Sequence, residues 1–180
     1  MDYFFGDHIA YHIMAKPVGP RCNLNCRYCY YLEKKNLYKD SSKSQMTESV
    51  LENFIRQYIQ SQSAPVISFV WQGGEPMLAG LEFYQAAVEY QKYYGAGRRI
   101  INAFQTNGTL INDKWCKFFR QHQFLIGISI DGPREIHDHY RCNHHGDGTW
   151  NKVIKGIRLL QDYQVEFNTL TVINNYNAGF

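Results

Sequence analysis

The sequence predicts an α/β fold with a parallel sheet, and two observations support this prediction. Short apolar runs alternate along the chain with stretches of ten or more residues at helical spacing, which is the pattern of βαβ units. A polar or glycine-containing loop follows each apolar run. Because the runs are continuously apolar, both faces of the sheet are expected to be covered.

The first three elements follow from local signals. An extended run at residues 11–17 predicts a strand that leads into a loop with three cysteines. Thr47 is a suitable N-cap, and apolar residues recur at helical spacing as far as Ile59, so a helix is predicted there. The β-branched and aromatic run at 66–71 predicts a second strand, which stops at the glycine pair 73–74.

The rest of the chain repeats this alternation. Further helices are predicted at about residues 81–94, 113–122 and 149–163. Further strands are predicted at about residues 99–104, 124–130 and 165–173. Thr-Asn-Gly at 106–108 ends the third strand and Asp-Gly-Pro at 131–133 ends the fourth. Because the carboxyl ends of parallel strands share one edge, the cysteines and these turns should open onto one rim.

Composition limits the class of protein. A chain of 180 residues suits one domain, and 44% hydrophobic with 19% charged residues indicates a globular protein. The net charge of +3, without a Lys/Arg run, does not favour a nucleic-acid partner. No apolar stretch reaches the roughly 18 residues that span a bilayer, so no membrane partner is expected. The first residues lack the layout of a signal peptide, which predicts a cytoplasmic location.

Three cysteines lie within eight residues, at Cys22, Cys26 and Cys29, in a C-x3-C-x2-C spacing. Such crowding favours a metal or catalytic site over a disulfide framework. A [4Fe–4S] cluster normally takes four cysteines, and no fourth lies nearby in the sequence. One iron would then be open to a small molecule that carries an amine and a carboxylate.

A structural zinc site is the alternative interpretation of the cysteine spacing. Its fourth ligand would be a histidine, either His12 or one of the pair His144 and His145, which follow Cys142. Cys142 itself is expected in a solvent-exposed loop. Cys116 lies in the middle of a predicted helix and is expected to be a packing residue.

The chain resembles the radical S-adenosylmethionine superfamily in its Cys-x3-Cys-x-aromatic-Cys motif. Over about residues 10–175 it is similar to the anaerobic sulfatase-maturating enzymes of that superfamily. The motifs that carry this likeness lie at residues 12–17, 22–34, 71–76, 105–108, 128–133 and 136–141. The resemblance implies a partial (β/α) barrel of the radical S-adenosylmethionine type, truncated after about five strands. Residues 1–180 are then an incomplete core domain without the auxiliary-cluster domain of members about twice as long.

The resemblance also implies a chemistry. The three cysteines would ligate a [4Fe–4S] cluster, and S-adenosylmethionine would occupy the fourth iron through its amine and carboxylate. One electron would split the S–C5′ bond, and the 5′-deoxyadenosyl radical would abstract a hydrogen from a sulfatase Cys or Ser on the way to formylglycine. The implied partners are a sulfatase-like peptide and an electron donor such as flavodoxin or ferredoxin.

The resemblance assigns roles to individual residues, beside the metal ligands already named. Cofactor-binding positions are Tyr28, Gly73, Gly74, Glu75, Ser129 and Arg141. Substrate-facing positions are Tyr31, Gln72, Thr106 and Asn107. Within the first set, Tyr28 would lie near the adenine, the glycines would let the backbone approach the ligand, Glu75 would accept from an ammonium, and Arg141 would bind a carboxylate bidentately.

No catalytic residue beyond the cluster is identified, because the proposed base of the family lies in the half that this chain lacks. Two other functions therefore stay open. One is a truncated, non-catalytic remnant that folds and binds iron–sulfur or a partner. The other is a zinc-binding regulatory module.

Overall fold

The strands form a single parallel sheet in which each strand pairs with the next one along the chain. This computed structural model describes residues 11–37 and 44–179. The strands are β1 (Ile13–Ala15), β2 (Val66–Trp71), β3 (Arg99–Thr106), β4 (Leu125–Ser129) and β5 (Phe167–Leu170). The predicted α/β class is confirmed, and the sequential order β1-β2-β3-β4-β5 is that of a partial barrel wall.

Helices connect the strands. They are α1 (Glu48–Ser61), α2 (Leu81–Gly95), α3 (Asp113–Gln121), α4 (Arg134–Tyr140) and α5 (Trp150–Asp162), with 3₁₀ turns at Glu33–Leu37 and Pro76–Ala79. Thr47 caps α1 as predicted, since its hydroxyl accepts a hydrogen bond from the backbone N–H of Val50. The sequence did not predict α4, because this helix is seven residues long and too polar to show an apolar period.

The helices cover one face of the sheet, where strand residues alternate with a period of two. Ile67, Phe69 and Trp71 of β2 are buried in the same core as Phe104 of β3 and Ile126 of β4. Alternate residues on the other face are exposed, namely Met14, Val66, Ile101, Leu125 and Leu170. The expectation that both faces are covered is therefore wrong for the described residues. The helices pack on the outside of a barrel wall, and the exposed face is its concave side.

The loops at the carboxyl ends of the strands converge on one rim, as predicted. The cysteine loop, residues 22–29, follows β1, and the loops after β2, β3 and β4 contact it or one another through hydrogen bonds. Within residues 11–37 and 44–179, no helix is long and apolar enough to cross a membrane. The cytoplasmic location stays a prediction.

Candidate functional site

The three cysteines of the cysteine loop lie close enough for their charges to interact. Burial raises the pKa of Cys22 to about 11 and the pKa of Cys26 to about 12. A charge on Cys29 raises both values, and a charge on Cys22 raises that of Cys26. These two thiols are therefore protonated at neutral pH in the free chain, and binding of a metal centre must displace their protons.

The zinc alternative needs four donors around one ion, three from the cysteine loop and one from a histidine. In the part of the chain that the structure describes, no three His, Cys, Asp or Glu side chains meet closely enough to hold one metal ion. One of the histidines proposed for zinc, His144, is hydrogen bonded by Nε2 to the backbone oxygen of Cys22 at 3.1 Å.

The glycine pair after β2 packs against the chain that leads into the cysteine loop. The backbone N–H of Gly74 donates to the carbonyl of Gly19 at 2.9 Å, and that of Glu75 donates to the carbonyl of Arg21 at 2.8 Å. A Cβ on Gly74 would lie 2.1 Å from the Arg21 oxygen, and one on Gly73 would lie 2.9 Å from the Gly19 oxygen. The close approach predicted for a ligand is thus used by the protein's own backbone, and cofactor contact by this loop stays a prediction.

Substitution of Gly74 should displace the cysteine loop. In G74A the added Cβ meets backbone atoms, which cannot rotate away, so we expect a loss of about 3 kcal/mol in the free energy of unfolding. Chemical denaturation measures this loss. The control is G97A, where an added Cβ meets no atom within 4 Å and only the positive φ of 80° is unfavourable. Equal stability of the two variants would contradict the close contact between Gly74 and Arg21.

Glu75 links the loops after β2 and β3. Its side chain is fully buried, and its carboxylate accepts from the N–H of Met77 at 3.0 Å, the hydroxyl of Thr106 at 2.8 Å and the N–H of Asn107 at 2.8 Å. The sequence interpretation had this carboxylate accepting from a ligand ammonium. In the structure three protein donors bind this carboxylate, and its contact with a ligand ammonium stays a prediction.

Burial of Glu75 should make stability depend on pH. Burial raises its pKa from 4.5 to about 7, so the folded chain holds this proton more tightly than the unfolded chain. The stabilisation is complete below pH 4.5 and is lost as pH rises through about 7, with a total loss of roughly 3 kcal/mol. The variant E75Q lacks this titration. We expect the stability difference between wild type and E75Q to change across that interval, and a constant difference would contradict the prediction.

Thr106 and Asn107 are buried, and their predicted substrate-facing role stays a prediction. Thr106 is bound to Glu75, and its hydroxyl also lies 3.4 Å from the sulfur of Met77. The side-chain nitrogen of Asn107 lies 2.9 Å from the Oδ1 of Asn23 and 3.7 Å from the sulfur of Cys22. Asn107 thus contacts the cysteine loop directly, whereas Thr106 binds Glu75.

Asp131 and Arg141 form a buried ion pair in the loops that follow β4 and α4. The guanidinium Nε donates to Oδ2 at 2.8 Å and Nη2 donates to Oδ1 at 3.1 Å. The hydroxyl of Tyr28 donates to the same carboxylate, and the guanidinium carbon lies 5.4 Å from the centre of the Tyr28 ring. Burial alone would raise the pKa of Asp131, but the hydrogen bonds from Arg141 and Tyr28 hold that pKa below its ordinary value.

This ion pair changes the interpretation of two predicted cofactor contacts. The guanidinium of Arg141 was predicted to bind a ligand carboxylate through two parallel hydrogen bonds. In the structure its Nε and Nη2 make such a pair of bonds with Asp131. A contact from Arg141 to a cofactor would use Nη1 and stays a prediction, as does the contact of Tyr28 with adenine. Asp131 itself was missed as a site residue, because the Asp-Gly-Pro turn was interpreted only as the end of a strand.

The end of α4 and the residues after it are hydrogen bonded to the cysteine loop through the backbone. The N–H of Asn25 donates to the carbonyl of Cys142 at 2.8 Å, and that of Arg27 donates to the carbonyl of Tyr140 at 2.9 Å. Cys142 is buried at 6% exposure, so its predicted place in a solvent-exposed loop is wrong. It is buried because it pairs with the cysteine loop. Cys116 is fully buried in the core, as expected of a packing residue.

A buried histidine connects the two members of the ion pair. His137 Nδ1 accepts from the backbone N–H of Asp131 at 3.3 Å, so Nε2 carries the proton and donates to the hydroxyl of Thr149 at 3.0 Å. That hydroxyl donates to the carbonyl of Arg141 at 2.9 Å. Burial lowers the pKa of His137 to about 4, which keeps the ring neutral. Neither His137 nor Thr149 was predicted, because no local pattern marks this relay.

The remaining predicted residues are half-buried, namely Tyr31, Gln72 and Ser129. Ser129 accepts a hydrogen bond from the side chain of Gln105 at 3.1 Å. Gly127 makes space for this glutamine side chain, because a Cβ at Gly127 would lie 2.2 Å from its Oε1. Gln72 extends the hydrogen bonding between β1 and β2 by one residue, since its N–H donates to the carbonyl of Ala15. The ring of Tyr31 lies 5.3 Å from the ammonium of Lys16. The substrate-facing roles of Gln72 and Tyr31 stay predictions.

Comparison with known proteins matches almost the whole chain to one family. A profile described as the Radical SAM superfamily matches residues 17–179. The chain is 52% identical over 169 residues to the serine-type anaerobic sulfatase-maturating enzyme of Bacteroides thetaiotaomicron, covering 94% of this chain and 41% of that protein. It is 41% identical over 165 residues to the cysteine-type enzyme of Clostridium novyi, covering 90% of this chain and 43% of that protein.

Solved structures agree with this match. The structure "Native anSMEcpe with bound AdoMet" superposes with a TM-score of 0.82 at 40% identity, over 89% of this chain and 44% of that one. The structure "Native anSMEcpe with bound AdoMet and Cp18Cys peptide" gives 0.81 at 39% identity, over 90% and 43%. The chain spans about two fifths of the length of the curated relatives it matches.

Proposed function

This chain belongs to the radical S-adenosylmethionine superfamily, and from that premise we propose that Cys22, Cys26 and Cys29 bind the [4Fe–4S] cluster that cleaves S-adenosylmethionine. The cofactors of the superfamily are that cluster and S-adenosylmethionine. The observation that carries the proposal is the position of the three thiols, on the rim where the loops after β2, β3 and β4 meet. A bound cluster would supply the electron for reductive cleavage of the S–C5′ bond of S-adenosylmethionine, to methionine and a 5′-deoxyadenosyl radical.

The residues around the thiols would hold the cofactors in place. The glycine pair after β2 and the buried Glu75 fix the backbone next to the cysteine loop. Arg141 contributes positive charge, which lowers the pKa of Cys26 against the effect of its burial and favours the thiolate that iron requires. Ser129 and Gln105 present polar groups on the concave face, where a ligand would lie between the cluster and a substrate.

We propose a sulfatase-type peptide as the substrate of the whole protein, with serine as the residue oxidised. Serine-type relatives are 47–52% identical to this chain, whereas cysteine-type relatives are 39–41% identical. Conversion of serine to formylglycine removes a pair of hydrogens. One leaves as a hydrogen atom to the 5′-deoxyadenosyl radical, and the other leaves as a proton and an electron to a base and an external acceptor. A flavodoxin- or ferredoxin-type protein is the proposed electron donor.

The test is anaerobic reconstitution with iron and sulfide, followed by EPR and chromatography. The reduced protein should give an EPR signal that changes when S-adenosylmethionine is added, and it should form 5′-deoxyadenosine under dithionite. Peptides that differ only in Ser, Cys or Ala at the target position then test the substrate, with mass spectrometry to detect the aldehyde. Absence of an iron–sulfur signal in the reconstituted chain would contradict the proposal, and bound zinc without iron would favour the regulatory alternative.

A further inference from the structure

We propose that Asn107 is a positioning residue that donates a hydrogen bond to the Cys22 sulfur and thereby raises the reduction potential of the bound cluster. This inference rests on the proposed function, because it concerns the same cluster. It adds a specific role for a buried amide that the sequence had assigned to the substrate-facing side. Three contacts of Asn107 carry the inference.

The first contact is the one to sulfur. The side-chain nitrogen of Asn107 lies 3.7 Å from the Cys22 sulfur, which also accepts the backbone N–H of Leu24 at 3.3 Å. The same nitrogen donates its other hydrogen to the Oδ1 of Asn23 at 2.9 Å. Both hydrogens of the amide thus point at the cysteine loop, and Cys22 receives two N–H donors.

The second contact fixes the orientation of the amide. The Oδ1 of Asn107 accepts from the backbone N–H of Thr109 at 3.0 Å and from its hydroxyl at 2.7 Å. A backbone N–H can only donate, so the oxygen must face Thr109 and the nitrogen must face Cys22. An amide turned the other way would place an N–H against an N–H and an oxygen against the Asn23 oxygen.

The third contact holds the backbone. The N–H of Asn107 donates to the Oε2 of Glu75 at 2.8 Å, inside the core. Asn107 is therefore held at its main chain and at both ends of its amide, and 9% of its surface is exposed. A donor held this firmly does not have to reorganise when the charge on the sulfur changes.

The effect on the potential follows from charge. Reduction adds one negative charge to the cluster, and part of this charge lies on the cysteine sulfurs. A fixed N–H dipole beside a sulfur stabilises the reduced form more than the oxidised form, and hydrogen bonds to the sulfurs are among the factors that set cluster potentials. Asn107 is buried and Cys22 is half-buried, so the dipole is screened less than it would be in water.

The experiment measures the reduced fraction of the reconstituted cluster by EPR at a series of fixed ambient potentials. In N107A, the ratio of reduced to oxidised cluster at a given potential should fall about tenfold, which corresponds to about 59 mV for a one-electron couple. N107D keeps the shape and the acceptor for Thr109 but places an oxygen against the sulfur, so its ratio should fall further. T106V is the matched control, because it removes the hydroxyl that binds Glu75 and the N–H of Gly108 in the same loop but none of the partners of the Asn107 amide.

Each outcome decides the inference. Equal potentials in wild type and N107D, at equal iron content, would overturn it and leave the proposed function intact. A shift in T106V as large as that in N107A would overturn it as well, since loosening of the loop would then be the cause. If T106V holds iron and both Asn107 variants do not, the amide is needed for assembly and the tuning role fails. A wild-type chain that binds no cluster would overturn the proposed function itself.

Discussion

Replacing Cys26 with alanine should reduce the iron of the reconstituted protein from about four atoms per chain to almost none. Cys26 is buried, and the positive charge of Arg141 favours its thiolate. No other cysteine in the loop can replace it, and two thiolates do not hold a cubane cluster with an open iron. Iron analysis and the visible absorption spectrum of the reconstituted variant measure the loss, and alanine at Cys22 or Cys29 should have the same effect.

Two other cysteines provide matched controls. Cys116 is fully buried in the core, so C116A should lower stability and keep the iron. Cys142 lies close enough to Cys26 for its charge to raise the pKa of that thiol, and its own sulfur is hydrogen bonded to the carbonyl of Asn25. C142A should also keep the cluster. Full iron content in C26A, or loss of iron in C142A, would contradict the assignment of the three ligands.

Replacing Asp131 with asparagine should destabilise the folded chain by about 3 to 5 kcal/mol, because it leaves the Arg141 guanidinium buried without a counter-charge. The carboxylate also accepts from the Tyr28 hydroxyl and from the N–H of Val172 at 3.1 Å. An amide cannot accept all of these donors, and its own NH₂ group would face one of them. The loss is measured as the change in denaturation midpoint at constant slope.

A surface ion pair nearby is the control for this prediction. Arg134 lies 3.5 Å from Asp138 and its side chain is 61% exposed, so R134A should cost less than about 1 kcal/mol. In a double variant, D131L with R141M, both charges are absent and part of the stability should return. Equal losses in D131N and R134A would mean that burial does not strengthen the Asp131–Arg141 pair.

Much of the fold was accessible from local patterns. Within residues 11–37 and 44–179, the alternation of apolar runs with helical spacing predicted all five strands and four of the five α-helices. Thr47 was identified as an N-cap from its residue type and the apolar period after it. The strand boundaries were less accurate, since the fifth strand was predicted over 165–173 and spans Phe167–Leu170. Short polar elements such as α4 carry no period, so only contacts made elsewhere in the chain reveal them.

The sequence by itself determined the chemistry at the rim: three cysteines at a cluster spacing, followed at intervals by polar turns that end parallel strands. Only the tertiary structure decided which polar group binds which. Glu75 and Arg141 were both expected to contact a ligand, which stays a prediction, and the fold also gives them Asn107 and Asp131 as partners, which no local pattern indicated. The physical reason is the distance along the sequence between the residues that interact. The period of a helix or strand is set by residues close together in the chain. A hydrogen bond between two loops joins residues far apart in the chain, and it forms only where the sheet brings the two strand ends together.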